Sequence, residues 1–230
     1  MTSFTVCIPA AGAGTRMHSS VPKQYLPLCG RPVLLHTLDV FEAMAGCTHI
    51  VIATDDRETL LPMLATAELS TQVTVVQGGA LRQDSVAHAL AAVVDVDTVV
   101  LVHDAARPCV RAEDVQAVAD AVAEYGAALL AVPARDTLKE VRGGLVQGTI
   151  DRSVVWQAQT PQGARAGLFR RAFAQLRARG QVTDDVALIE ALGEPVHVVQ
   201  GSAGNIKITA PEDVPLAEAV LRAAGRGNCE

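Results

Sequence analysis

The chain has 230 residues, half of them hydrophobic, enough to bury a substantial core, and α/β proteins of this length are often one domain. A formal charge of −6 excludes a broad basic field for nucleic acid, so any polyanion must be met by locally concentrated Arg and Lys. No basic signal region or bilayer-length apolar stretch is present, and Cys7, Cys29, Cys47, Cys109 and Cys229 form no Cys-x-x-Cys pair; reduced thiols in a cytoplasmic protein off the membrane are expected.

A first strand is predicted over 4–8, and it runs into Pro9-Ala10-Ala11-Gly12-Ala13-Gly14-Thr15-Arg16-Met17, with Pro22-Lys23-Gln24 a short way on. This pattern predicts a phosphate-binding loop. Gly12 and Gly14 can take positive φ and bring backbone N–H groups against an anion, while Arg16 and Lys23 supply countercharge. Two commoner glycine loops are excluded by the residues. A dinucleotide fingerprint needs Gly or Ala where Met17 stands and a helix opening at once, but Pro22, Pro27 and Pro32 block a long helix there. A Walker A loop needs Gly-Lys-Ser or Gly-Lys-Thr, which the chain lacks.

Further along, helices are predicted over 33–45, 57–66, 83–94 and 112–125, alternating with strands over 49–54, 73–77, 98–103 and 127–132. Gly78-Gly79 precedes Arg82-Gln83-Asp84-Ser85, read as a tight turn and a capped helix start. Asp104 directly follows the strand ending at His103, where its carboxylate could hold ribose or substrate hydroxyls or help position magnesium, with Arg107 as ion-pair partner. Residues 135–156 break the helical rhythm and read as a projecting hairpin turning at Gly143-Gly144. Helices over 166–178, 184–192 and 212–223 and a strand over 196–200 complete the chain. Thr183 suits an N-cap, and Lys207 stands alone among alternating apolar residues, where a solvated strand position is the ordinary reading. The whole reads as α/β: a Rossmann-like, mostly parallel sheet with helices on both faces, in one domain over 1–230, with ligands at the carboxyl ends of the strands. A hairpin at 135–156 is too small to stand alone, so it is expected to pack on another subunit as a dimerisation arm.

Taken together, the Ala10–Met17 loop, Pro22-Lys23-Gln24, Asp104-Ala105-Ala106-Arg107-Pro108, Gln159-Thr160-Pro161-Gln162 and Asn205-Ile206-Lys207-Ile208-Thr209 resemble the 2-C-methyl-D-erythritol 4-phosphate cytidylyltransferases of non-mevalonate isoprenoid biosynthesis. The resemblance spans nearly the whole chain. It implies transfer of a cytidylyl group from CTP to the polyol phosphate, with a related enzyme acting on another polyol phosphate, such as ribitol 5-phosphate, as the alternative. It implies that Arg16 and Lys23 bind the triphosphate, that Pro9, Ala10, Ala11, Gly12, Gly14, Asp104 and Ala105 line the nucleotide site, and that Gly79 and Ser85 meet the cytosine. Asp104 and Arg107 would sit near ribose and substrate hydroxyls. Thr137 and Arg152, borne on the arm, would reach a neighbouring subunit's site in a homodimer and meet the substrate phosphate with Thr183 and Lys207. Mg2+ would be held mainly by the CTP phosphates. His18, where the family often has glycine, and Gly204, where a larger polar residue is frequent, depart from the pattern without removing a functional group. The inventory suits such a reaction: a phosphate monoester, with a second pKa of about 6, is already ionised near pH 7, so cations rather than a general base are required.

Overall fold

A computed structural model describes residues 1–12, 17, 21–176 and 184–227. Seven strands form the central sheet: β1 (Phe4–Pro9), β4 (Cys47–Thr54), β5 (Gln72–Gln77), β6 (Val99–Val102), β7 (Ala127–Pro133), β10 (Trp156–Arg165) and β11 (His197–Gln200), in the order β11-β7-β10-β6-β1-β4-β5. β10 pairs antiparallel with both β6 and β7, and every other pairing is parallel. The chain winds from β1 outward to β5 and then returns to β6 on the other side of β1. That reversal opens a crevice at the carboxyl ends of β1 and β6.

The two-residue period of β1 explains why both sheet faces are covered. Val6 and Ile8 join one buried cluster with Ile50, Ile52 and Leu101, packed under α1 (Val33–Glu42), α2 (Arg57–Thr66) and α4 (Ala112–Tyr125). Cys7 points the other way into a cluster with Val51, Ala53 and Val102, under α3 (Arg82–Ala91) and α5 (Ala166–Leu176). A third, smaller cluster joins Leu28, Cys109 and Ile208 beneath α7 (Asp213–Ala223). Leu28 belongs to the short pair β2 (Pro27–Leu28) and β3 (Arg31–Pro32), which turns at Cys29 and Gly30, both at positive φ.

β10 carries no β-branched run and was not expected as a strand. Its centre, Gln159-Thr160-Pro161-Gln162, interrupts the register with β7, and its small residues let neighbours approach. A Cβ on Gly163 would lie 2.5 Å from Leu101 Cδ2 and 2.8 Å from Val122 Cγ2. The expected helix over 184–192 shrinks to α6 (Ala187–Glu190), because Asp184 caps Ala187 N–H at 2.9 Å and Asp185 turns inward to a distant arginine. Cys7, Cys47 and Cys109 are free and buried, as reduced thiols should be, whereas Cys29 departs from expectation and is disulfide-bonded.

Residues 135–156 form the expected hairpin. β8 (Leu138–Arg142) pairs antiparallel with β9 (Leu145–Ile150), and Gly143 and Gly144, at φ 56° and 80°, make the two-residue turn whose twist suits a hairpin. It stands off the main sheet with Val141, Leu145, Val146 and Val154 exposed.

Candidate active site

Four strand ends converge on one cavity of about 490 Å³, lined by Pro9, Ala10, Ala11, Gly12, Lys23, Gly79, Ser85, Asp104, Ala105 and Lys207, with Asp55 and Arg82 among the charged wall. Lys23 opens a short 3-10 turn, fixed to the sheet where Gln24 Nε2 donates to Ala10 O at 2.7 Å. Gly78 and Gly79 are there for close approach. A Cβ on Gly78 would stand 2.4 Å from Ala11 Cβ and 2.8 Å from Asp55 Oδ1, and one on Gly79 2.3 Å from Asp84 Cβ. Gly79 N–H donates to Ser85 Oγ at 3.0 Å, so the buried Ser85 ties the glycine turn to α3. Gly12 differs from its expectation: its φ is not positive, and a Cβ there would meet nothing within 4 Å. Gly14, Arg16, His18 and Thr183 lie outside the described residues.

Asp104 is the electrostatic centre. Arg82 Nε reaches its Oδ1 at 2.9 Å, and Lys207 Nζ and Arg107 Nε reach Oδ2 at 2.8 and 3.4 Å. Burial alone would push this carboxyl up, but Arg82 foremost, then Lys207 and Arg107, hold it far below the ordinary carboxylate range. Three cations already balance this buried carboxylate. Among the described residues no group of three His, Cys, Asp or Glu side chains could hold a metal ion. Arg82 also forks onto Asp185, with Nη1 and Nη2 each 2.8 Å from a carboxylate oxygen. The expected Asp104–Arg107 pair is present, but Arg107 also donates from Nη1 to Asn205 O at 2.8 Å, which makes it a brace between two loops. Lys207 lies in a loop after β11 rather than in a strand, and Asp104 turns its ammonium to the cavity wall.

Behind this layer, neutral side chains fix the loops. Burial pushes the His103 imidazole down to about 4, so it is neutral at pH 7. Its Nε2 lies 3.1 Å from Arg107 O, which can only accept, so Nε2 carries the proton and Nδ1 accepts from Thr160 Oγ1 at 3.1 Å. Thr160 Oγ1 in turn accepts from Asp104 N–H at 3.1 Å. Asn205 Nδ2 donates to Thr160 O at 2.9 Å and to Gln159 Oε1 at 3.2 Å, tying the Lys207 loop to β10. Thus the Gln159–Gln162 motif builds the frame of the site.

Sequence reasoning brought Lys23, Gly79, Asp104 and Ala105 to one rim, the resemblance added Ser85 and Lys207, and the fold brings all six to one cavity. Thr137 and Arg152 are not on the cavity wall; both are exposed on the arm, where Arg152 Nη1 donates to Arg135 O. Arg82 and Asp185 were missed as site residues. Their partners lie 22 and 103 positions from Arg82, and no local spacing encodes such a pairing.

The profile of the 2-C-methyl-D-erythritol 4-phosphate cytidylyltransferases matches residues 4–223. The enzyme of that name from Syntrophotalea carbinolica is 45% identical over 228 residues, covering 97% of this chain and 98% of the relative. A bifunctional enzyme from Desulfotalea psychrophila is 44% identical over 96% of this chain, which spans 58% of that longer relative. The crystal structure of the 2-C-methyl-D-erythritol 4-phosphate cytidylyltransferase from Thermus thermophilus superposes with a TM-score of 0.79 at 36% identity, covering 96% of this chain and 100% of that one. The chain belongs to the 2-C-methyl-D-erythritol 4-phosphate cytidylyltransferase family.

Proposed function

We propose that this chain transfers a cytidylyl group from CTP to 2-C-methyl-D-erythritol 4-phosphate, giving 4-diphosphocytidyl-2-C-methyl-D-erythritol and pyrophosphate in non-mevalonate isoprenoid biosynthesis. Its family membership supports the reaction. The observation that carries the chemistry is the convergence of Lys23, Lys207 and Arg82 on one small cavity in an otherwise acidic protein. A phosphate-monoester oxygen of the polyol attacks the α-phosphorus of CTP, and the bond between that phosphorus and the bridging oxygen breaks as pyrophosphate leaves. Near pH 7 the attacking oxygen is already largely ionised, so the protein's task is to cancel repulsion and developing charge.

In this reading Lys23, with Arg16, binds the triphosphate, and Gly79 and Ser85 contact the cytosine. Asp104 meets ribose or substrate hydroxyls, and Lys207, with Thr183, meets the substrate phosphate. A magnesium ion fits the cavity as a guest carried by the CTP phosphates, since the protein's charged donors there are mainly cations; it would neutralise triphosphate charge. Thr137 and Arg152 would complete a partner's site in a homodimer. The exposed apolar residues of the arm, together with the distance in sequence between Arg152 and the triphosphate loop, support that arrangement. No helix among the described residues is long and apolar enough to cross a membrane, and a cytoplasmic enzyme accords with that.

The decisive test is pyrophosphate release with CTP, UTP, ATP and GTP against 2-C-methyl-D-erythritol 4-phosphate and ribitol 5-phosphate. CTP with the methylerythritol phosphate is expected to be the preferred pair. UTP should fall by roughly tenfold to hundredfold, the effect of about 1–3 kcal/mol for a buried polar group left unpaired. Equal turnover of UTP and CTP would refute the cytosine assignment, and preference for ribitol 5-phosphate would move the enzyme to that substrate.

A further inference from the structure

Asp185 is 2% exposed and Asp104 7% exposed, yet both carboxylates face the same guanidinium. We propose that Arg82 and Asp185 form a positioning pair: Asp185 grips the fork of Arg82, and the guanidinium edge so fixed holds Asp104 Oδ1, leaving Oδ2 to set Lys207 at the cavity wall. This inference rests on the cytidylyl-transfer reading, because its consequence is the placement of Lys207 for that reaction.

The geometry is a relay of fixed points. Gln162 Oε1 accepts from Asp185 N–H at 2.9 Å and Val186 N–H at 3.1 Å, which pins the backbone of Asp185 to β10. Both Asp185 carboxylate oxygens then take Arg82 in a bidentate pair, the geometry in which a guanidinium has least rotational freedom. Nε, the third donor of that plane, is left pointing along one direction, and Asp104 Oδ1 lies there at 2.9 Å. Lysine could not make both contacts, since an ammonium is a point charge without a fork. The side chain of Lys207 is itself one-third exposed, so its anchor is the carboxylate 2.8 Å away.

Charge supports the same arrangement. Burial pushes Asp185 up, with Arg82 pulling against it, and among the cations on Asp104 the largest pull comes from Arg82. The groups facing Asp104 are Arg82 from α3, Lys207 from the loop after β11, and Arg107 and neutral His103 from its own segment. Asp184 adds a second negative charge near Asp185. Without Arg82, Asp104 would keep its burial and lose its strongest counterion, so its carboxyl would rise.

Arg82→Gln, Arg82→Lys, Asp185→Asn and the double variant Arg82→Gln with Asp185→Asn test this in the full chain. Each single variant is expected to lower kcat by roughly 10- to 100-fold, the cost of a misplaced catalytic group, with the KM for CTP changed less than about threefold. Arg82→Lys should not rescue. The double variant should be no worse than Arg82→Gln, since the two residues act as one unit. The pH profile of kcat/KM in Arg82→Gln should gain an acidic limb absent from wild type. Independently of turnover, 13C NMR of labelled aspartate, assigned with Asp104→Asn, should show Asp104 titrating at higher pH in Arg82→Gln than in wild type. Wild-type turnover with Arg82→Lys, additive losses in the double variant, or an unmoved Asp104 resonance would overturn the pair. Absence of pyrophosphate release from the wild type would instead overturn the reaction, and the NMR result would still decide the pair.

Discussion

At the cavity rim, Asp104 and Asp185 are almost wholly buried and each meets an arginine at 2.8 to 2.9 Å, whereas on the β8–β9 arm Glu140 and Arg142 make a pair of the same length in open solvent. Identical chemistry therefore has opposite weight in the two regions. A buried carboxylate that loses its cation is left charged in a poor solvent for charge, while an exposed one is rehydrated. The apolar residues are distributed the other way. Beneath the rim Val102, Ala105 and Ala106 are buried, but on the arm Leu145 is 70% and Val154 77% exposed. The buried carboxylates of the rim find their cations within one chain. The arm instead leaves apolar side chains in solvent.

The largest effect should come from the rim. Lys23→Ala is expected to reduce kcat by about 10²–10³, as removal of a preorganised donor does, because its charge acts on charge that develops during transfer. The melting temperature should hardly move, since Lys23 sits on a partly exposed turn. Near-normal turnover with an unchanged melting curve would show that this cation is merely solvated.

Much of the rim was legible in the sequence, and the reason is physical. Parallel strands in a βα rhythm deliver their following loops to one edge, so Lys23, Gly79 and Asp104 could be grouped without knowing a single distance. The arm was legible from Gly143-Gly144 and a lost helical period. What could not be read was long-range charge pairing, such as Arg82 with Asp185, and the strand β10, whose Gln, Pro and Gly content runs against β-propensity. That strand is buried between β6 and β7, where tertiary pairing outweighs local preference. Gly12 was misread for a related reason: a glycine in a loop signals room for unusual φ, but only the fold says whether the room is used.

The next effect belongs to the arm. Leu145→Asp combined with Val146→Asp places two charges on its most exposed apolar stretch, and self-association should weaken by on the order of 100-fold, read by sedimentation or light scattering across a dilution series. Turnover should fall with the dimer and recover at high protein concentration. A wild type that is an active monomer, or a variant that remains dimeric, would remove the arm from the site. Mixing Arg152→Ala with Lys23→Ala subunits should regenerate one working site per mixed dimer.

An effect of similar size, on folding rather than association, separates buried from exposed titration. His103 is buried and neutral with its pKa held at about 4, against an ordinary 6.5 in the unfolded chain. Below pH 6.5 the unfolded state takes a proton that the folded state refuses. The stabilisation is therefore complete above pH 6.5 and is lost as pH falls toward 4, by an amount of about 3 kcal/mol. Urea unfolding of wild type and His103→Gln between pH 4 and 7 should show a steeper pH slope in wild type. Parallel slopes would mean that His103 gains its proton without cost.

The smallest expected effect sharpens the contrast most directly. Arg142 reaches Glu140 at 2.8 Å, as short as the Arg82–Asp185 contacts, but the two side chains are 79% and 48% exposed. At such exposure Coulomb attraction is screened and the entropy of fixing two long side chains opposes it, so exposed pairs contribute about 0–1 kcal/mol. Arg142→Ala should shift unfolding free energy by less than about 0.5 kcal/mol, and the shift should vanish in roughly 1 M salt, where the Debye length is about 3 Å. Asp185→Asn, measured in the same salt series, should keep most of its destabilisation, because Asp185 is buried and a partly buried pair is screened much less. If Arg142→Ala costs as much as Asp185→Asn, or if both losses disappear together in salt, burial is not what distinguishes the two pairs.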